Sequence, residues 1–330
     1  MTVVMEHASD QDFVRLADPY RRELFAHCYR MLGSVHDAED LVQETYLRAW
    51  KAYDRFEGRS SLRTWLHRIA TTACLTALDK RQRRPLPTGL GGPTAEPEGE
   101  LADRPEVPWL EPVPDALVGA DDPGTVVEAR ESVRLALVAA LQYLQPKQRA
   151  VLILRDVLRF SAAEVADTLD TSVPAVNSLL QRAHAQLARV TPTEEKVAEP
   201  QPAQRETLAR YVAAFESYDI PAITSLFTAD AVFEMPPFAT WVRGGEHIGR
   251  LIAAQCPAGG PGDMALVPTA ANGQPAFAVY MRGGDGLHRA FGLQVLDLSP
   301  EGGEVVHTAM FFDTTLFPHF GLPAALPRRG

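Results

Sequence analysis

The sequence predicts a multidomain protein in which two all-α domains precede an α+β domain. Three observations carry that reading. Apolar residues recur at helical spacing through residues 10–84 and again through 125–190. A proline- and glycine-rich acidic stretch divides those segments, and the last part of the chain turns to Val-, Phe- and Leu-rich runs separated by turn residues. A chain of 330 residues is long enough for each domain to bury a core of its own.

Apolar content of 46% and charged content of 22% are ordinary for a globular protein. No run approaches eighteen uncharged apolar residues, and the N-terminus has neither a basic start nor an apolar core, so no signal peptide or membrane span is expected and the protein reads as cytoplasmic. Cys28, Cys74 and Cys256 stand far apart with no histidine at ligand spacing. They read as small core residues, and no disulfide framework, metal site or cofactor is expected.

The net charge of −10 is an average over unlike segments. Residues 1–84 hold 14 basic against 12 acidic residues, 85–124 hold 1 against 9, and 125–190 hold 8 against 6. Two mildly basic segments flank an acidic one, so net charge does not exclude a nucleic-acid partner.

Taken in order, residues 10–84 read as successive helices. Leu24, Phe25, Cys28, Tyr29, Met31 and Leu32 form one apolar face, Gly33 ends that helix, and Ser34 or Asp37 caps the next. In "DAEDLVQETYLRAW" and the residues just after it, positions 38, 41, 42, 45, 49, 52 and 56 face a core, while Tyr46, Trp50 and Tyr53 make a second row beside Asp40, Gln43, Glu44 and Leu47. That row is either more core or a surface for another molecule. Downstream, Trp65, Leu66, Ile69, Ala73 and Leu78 supply a core stripe, and Lys80, Arg81, Arg83 and Arg84 form a basic end suited to phosphates or to the negative end of a helix dipole.

Residues 85–124 hold nine of the 26 prolines and read as an extended linker in which "VPWLEPVP", centred on Trp109, is the apolar exception. Within 125–190, Ser161 caps "AAEVADTL" with Glu164 three residues on, and Ser172 caps a further helix with Pro174 in its first turn. This is the pattern of a helix-turn-helix, whose second helix lies in a DNA major groove. A second linker, 191–203, leads to a tail at 204–330 with one long helix and then the strand signals "AVFEMPP", "QPAFAVYMRG", "LHRAFGLQVLDL" and "EVVHTAMFFDTTLF".

Residues 37–84 resemble region two of bacterial sigma factors, with "DLVQETYLRAWKAYDRFE" matching the family's polymerase-binding helix. With the helix-turn-helix at 141–187, the pair resembles the extracytoplasmic-function sigma factors, which keep only regions two and four. The resemblance implies that Asp40, Gln43, Glu44, Tyr46 and Trp50 contact the β′ clamp helices of core RNA polymerase, with region four on the β flap. It implies that Arg59, Arg63, Trp65, Arg68, Arg81, Arg83 and Arg84 hold the melted minus-ten strand, Trp65 being equally a core candidate. It further implies that Ser172, Asn177, Ser178, Gln181 and Arg182 read the minus-thirty-five element. Asp170 stands where relatives have a turn glycine, and Asn177 and Leu179 where many have Lys and Arg.

The tail, with "DIPAITSLFTADAVFEMPP", resembles SnoaL-like domains, a cone of curved sheet wrapped by helices. Trp241, His247, Tyr280, His288, His307 and Asp313 are its pocket candidates. No spacing fixes a catalytic dyad, so the tail is expected to be a regulatory domain that contacts the sigma core or linker. The alternative is a cyclase- or isomerase-type enzyme, or a small-molecule sensor, joined to a DNA-binding adaptor.

Overall fold

The computed structural model describes residues 12–79, 82–119, 132–190, 202–301 and 303–327. Arg81 and most of the 191–203 linker lie outside the described residues. The chain divides into two compact units, Met1–Arg84 with Ala116–Glu194, and Pro85–Asp115 with Glu195–Gly330. The two helical segments therefore share one unit, and most of the 85–124 linker belongs with the tail.

The helical unit starts with residues 12–17 and the Arg21–Leu32 helix, which ends on Gly33 in left-handed geometry (φ 69°). Ser34 then caps the Val35–Ala52 helix by accepting the Asp37 amide at 3.1 Å. Ala38, Val42, Thr45 and Ala49 are its buried stripe. Leu62–Leu78 packs against both of these helices, capped by Ser61, whose hydroxyl accepts the Thr64 amide at 3.0 Å.

Leu135–Leu141, Pro146–Leu152, Ala162–Thr168 and Val173–Val190 complete the unit. The second of them widens into one π turn at Ile153–Val157. The capping box at Ser161 and Glu164 is formed in both directions. Asp170 takes the left-handed turn (φ 50°), where a short polar side chain is the best substitute for glycine.

Polar residues tie the two helical segments together. Buried Arg149 donates to the Met31 carbonyl, to Gln142 Oε1 (2.7 Å) and to the Gln142 and Leu144 carbonyls (3.2 and 3.3 Å). Arg30 donates to the Ser132 carbonyl at 3.1 Å and its hydroxyl at 2.7 Å. Burial lowers both guanidinium pKa values to about 10, so both stay charged near neutrality.

Beside them lie two buried histidines with ring centroids 5.5 Å apart, His27 against Thr71 (3.0 Å) and His67 between the Arg63 carbonyl (2.9 Å) and Glu23 (3.2 Å). Burial lowers His67 to about 4 despite the opposing pull of Glu23, and lowers His27 well below its ordinary value. A depressed pKa means that the unfolded chain takes up protons the folded unit refuses. The stability is complete above about pH 6.5 and is lost as pH falls toward about 4, His67 alone withdrawing ~2 kcal/mol at pH 5. The melting temperature of the full chain is expected to drop between pH 7.5 and 5, and to drop less in His67→Gln.

The second unit is a seven-stranded mixed sheet with helices Pro202–Glu216, Ile220–Ser225 and Gly245–Gln255. Its strands are β1 Phe227–Glu234, β2 Trp241–Arg243, β3 Met264–Ala271, β4 Gln274–Arg282, β5 His288–Leu298, β6 Val305–Phe311 and β7 Ala325–Leu326. The order is β2-β1-β6-β5-β4-β3, with β7 on β5. All pairings are antiparallel except β1 with β6, which makes the sheet mixed.

Alternation gives the sheet two buried faces. On one, Phe233, Phe277, Val279 and Met310 meet Tyr211 and Phe215 of the long helix in the main core. Tyr211 stacks on Phe215 (4.5 Å) and Phe277 (5.6 Å) and donates to Gln294 Oε1 at 3.2 Å. On the other face, Ala278, Leu293 and Phe311 are register partners and all buried, and Phe317 of the Thr314–Phe320 turn meets Tyr280 edge-on at 5.4 Å.

Candidate functional site

The Val35–Ala52 helix shows two distinct outer rows. Tyr46 and Tyr53 turn toward Phe13, at ring distances of 6.2 and 5.1 Å, and the Tyr46 hydroxyl donates to the Ala17 carbonyl at 2.8 Å. Burial pushes that phenol up to about 12. Asp40, Gln43, Leu47 and Trp50 instead form an exposed row with three-four spacing, Leu47 at 58% and Trp50 at 45% exposure. The sequence row of Tyr46, Trp50 and Tyr53 is thus split, because residues 12–17 cover its two tyrosines. Glu44 borders the exposed row and pairs with Arg48 at 2.5 Å. Leu47, which the sequence places beside that row but the family resemblance does not include among the polymerase contacts, lies at i+4 from Gln43 and so on the same face.

The basic candidates are spread differently from the sequence expectation. Arg59 is exposed and pairs with Glu57, and Arg68 is exposed. Trp65 is half-buried, with its ring 4.8 Å from Phe56. At the basic end, Arg84 and Arg83 each have a partner within the helical unit. The Arg84 guanidinium meets Asp37 at 2.7 Å with both side chains nearly buried, and Arg83 lies 4.1 Å above the Tyr143 ring. The ion pair beside the helix start holds Arg84 within the fold, while Arg83 rests on the aromatic face and stays exposed.

Arg63 is held on three sides. It donates to Glu23 Oε1 (2.7 Å) and the Leu158 carbonyl (3.0 Å), and its guanidinium lies 4.6 Å above Phe160. Thr64 adjoins it and donates to Glu164 Oε1 at 3.1 Å. The 158–164 segment of the helix-turn-helix therefore covers the start of the Leu62–Leu78 helix.

On the helix Val173–Val190, Val176 and Ala183 are buried. Ser172, Asn177, Gln181 and Arg182 are exposed, and Ser178 is half-buried and accepts from Arg182 at 3.1 Å. His184 of the same helix meets Asp156 at 2.6 Å, anchoring it to the π turn.

In the tail, the six pocket candidates do not converge. His247 meets the Arg243 carbonyl (2.9 Å), His288 the Gly262 carbonyl (2.9 Å), Tyr280 the Pro323 carbonyl (3.0 Å), and Asp313 accepts the Thr315 amide (2.9 Å). Each partner is a main-chain group, local for His247 and Asp313 and distant in sequence for His288 and Tyr280, so these residues tie the backbone of the unit together at separate places. Trp241 and His307 are brought together, through a residue the sequence reading missed. Glu234 pairs across the sheet with Trp241, and its Oε1 lies 2.7 Å from His307 Nε2. Nothing local signals this pair, since β1 and β6 are joined only by long-range pairing.

The proline-rich stretch is seated on this cluster. The Thr88 amide donates to Glu234 Oε2 (3.0 Å), Trp241 Nε1 to the Gly91 carbonyl (2.9 Å) and the Thr94 amide to the Trp241 carbonyl (2.9 Å). Further along, Glu98 pairs with Arg250, and Val113 exchanges bonds with Asn272. Leu110 and Val113 are fully buried, whereas Trp109 is half-exposed and donates to the Arg104 carbonyl. The stretch is extended, as its prolines require, but it is a bound strap.

Among the described residues no group of His, Cys, Asp and Glu has the arrangement of a metal site, and no helix is long and apolar enough to cross a membrane. Cys28 and Cys74 are buried neighbours whose contact pushes the Cys74 thiol up, consistent with core packing.

Comparison with known proteins matches residues 16–84 to Sigma-70 region 2, 134–187 to Sigma-70 region 4 and 208–314 to the SnoaL-like domain. The chain is 61% identical over 317 residues to the ECF RNA polymerase sigma factor SigG of Mycobacterium tuberculosis H37Rv, covering 96% of this chain and 85% of that one. It is 33% identical over 254 residues to SigJ of the same strain, covering 73% and 72% respectively. The crystal structure of M. tuberculosis SigJ superposes with a TM-score of 0.59 at 26% identity, over 94% of this chain and 100% of that one.

Proposed function

The chain belongs to the extracytoplasmic-function RNA polymerase sigma factors, and from that membership we propose which of its surfaces meets each partner. It is a transcription initiation factor, not an enzyme, that binds core RNA polymerase and directs promoter recognition and melting. The alternative of a cyclase or isomerase with a DNA-binding adaptor falls with that membership.

The exposed row of Asp40, Gln43, Leu47 and Trp50 seats on the β′ clamp helices, with Glu44 at its border. This reading is carried by one observation. Two large apolar side chains, Leu47 and Trp50, stand open to solvent on the same row as an acid and an amide, Asp40 and Gln43, the mix of apolar area and polar edge that an interface uses. Tyr46 supports the row from behind. Region four seats on the β flap, and the factor works in the cytoplasm with its polymerase. The test is capture of core polymerase by the immobilised full chain, which Gln43→Ala with Trp50→Ala should abolish.

Arg59, Arg63 and Arg68 line the minus-ten strand, with Trp65 at the edge of its pocket. Arg63 reaches DNA only after leaving Leu158 and Phe160, so minus-ten binding requires the helix-turn-helix to move off the Leu62–Leu78 helix. Ser172, Asn177, Ser178, Gln181 and Arg182 face the minus-thirty-five duplex. The SnoaL-like domain regulates by holding the strap, which is the covalent connection between regions two and four. Glu234, His307 and Trp241 are its clasp.

A further inference from the structure

On the minus-thirty-five helix, we infer that Val173 is a specificity residue that reads the 5-methyl group of a thymine next to the base read by Asn177. The inference rests on the proposed role of that helix and adds a residue to it.

Ser172 fixes the leading turn. Its hydroxyl accepts the Ala175 amide at 3.4 Å and its carbonyl the Val176 amide at 3.0 Å. With the turn set, Val176 and Ala183 point into the unit, and Val173, Asn177 and Gln181, four residues apart, form one exposed row along the helix. Pro174, Ser178 and Arg182 make the adjacent row, in which Arg182 leans on Ser178.

Val173 is the apolar member of that outer surface, 39% exposed, and one of six large apolar side chains left open among the described residues. The helix packs chiefly through Val176, Leu179, Leu180 and Ala183, and Val173, at the edge of that face, keeps 39% of its surface open to solvent. A helix-turn-helix presents the N-terminal residues of its second helix to base edges in the major groove. The groups displayed there are hydrogen-bond donors and acceptors, with one apolar exception, the thymine methyl. A valine pressed against any other base edge would strip water from a polar group and return no hydrogen bond. Against a thymine it buries methyl on methyl. Asn177, one turn further along the same row, has the amide that pairs bidentately with adenine. The two together specify a thymine and an adenine at neighbouring positions.

The test uses holoenzyme made from core polymerase and the full chain. Promoters are first selected from duplex DNA randomised across the minus-thirty-five element. Uracil is then placed at each selected thymine, which removes the methyl group and leaves the pairing edge unchanged. The expected result is one position at which uracil lowers promoter occupancy about fourfold, the effect of losing one buried methyl. In Val173→Ala, thymine and uracil should become equivalent at that position while the adjacent adenine preference persists, and Asn177→Ala should lose that adenine preference. Because Val173 is exposed, the melting temperature of Val173→Ala should match the parent. Uracil equal to thymine at every position with the parent holoenzyme, or full discrimination retained in Val173→Ala, overturns the inference and leaves the helix's role standing. Selection that yields no minus-thirty-five preference at all overturns both.

Discussion

Replacing Gln43 and Trp50 together by alanine is expected to weaken binding of the full chain to core RNA polymerase by on the order of 100-fold or more. Both side chains lie on the exposed row of the Val35–Ala52 helix, and the buried stripe of Ala38, Val42, Thr45 and Ala49 is untouched by the change. Exposed substitutions of this kind shift stability by about 0.5 kcal/mol or less, so a loss of binding cannot be assigned to unfolding. Trp50 supplies apolar area that is desolvated only in a complex, and Gln43 sets register beside it. Tyr46→Phe separates the two rows. Its hydroxyl serves Ala17 within the fold, so that change should lower stability modestly and leave polymerase affinity close to the parent. Competition with a labelled parent chain measures all three, and unchanged affinity in the double variant would sink the assignment of this face.

The largest stability effect is expected at Arg149. Its guanidinium is buried and donates to the Met31, Gln142 and Leu144 carbonyls and the Gln142 side chain. Arg149→Ala strands those acceptors without water and opens a cavity between the region-two helices and the helix-turn-helix, a loss of about 3–5 kcal/mol. For a unit of this size the melting temperature should fall by roughly 10 °C. Arg149→Lys keeps the charge but cannot fork to several carbonyls at once, so it should recover only part of the loss. A melting temperature within about 2 °C of the parent in Arg149→Ala would show that these contacts do not hold the unit together.

The helical half was legible because its signals are local. Gly33 and Ser34 mark a helix end and the next start within two residues, and Ser161 with Glu164 closes a capping box within four. What the sequence hid depends on groups far apart in the chain. Residues 12–17 decide which aromatics of the second row are exposed, and only their contact with Tyr46 and Tyr53 separates those from Trp50. The partners of Arg84 and Arg83 are equally remote, Asp37 for the first and the Tyr143 ring for the second, and only the first pairing takes its arginine largely out of solvent. β3 went unread because Pro268 interrupts "MALVPTAA", yet β3 is an edge strand, where a missing amide donor costs no ladder bond. The strap has no apolar periodicity because it binds through main-chain bonds and a few single side chains such as Leu110 and Val113. Glu234 needed the parallel pairing of β1 with β6, which no local pattern announces.

The most direct test of the account is run-off transcription by core RNA polymerase supplied with the full chain, on promoters selected from genomic DNA. The expected result is transcripts with a defined start that require the chain, vanish with Gln43→Ala and Trp50→Ala together, and shift in promoter preference with Asn177→Ala. Equal transcription by the parent and the double variant would contradict the assignment of the exposed row, and no promoter-specific transcript from the parent chain would contradict the account as a whole.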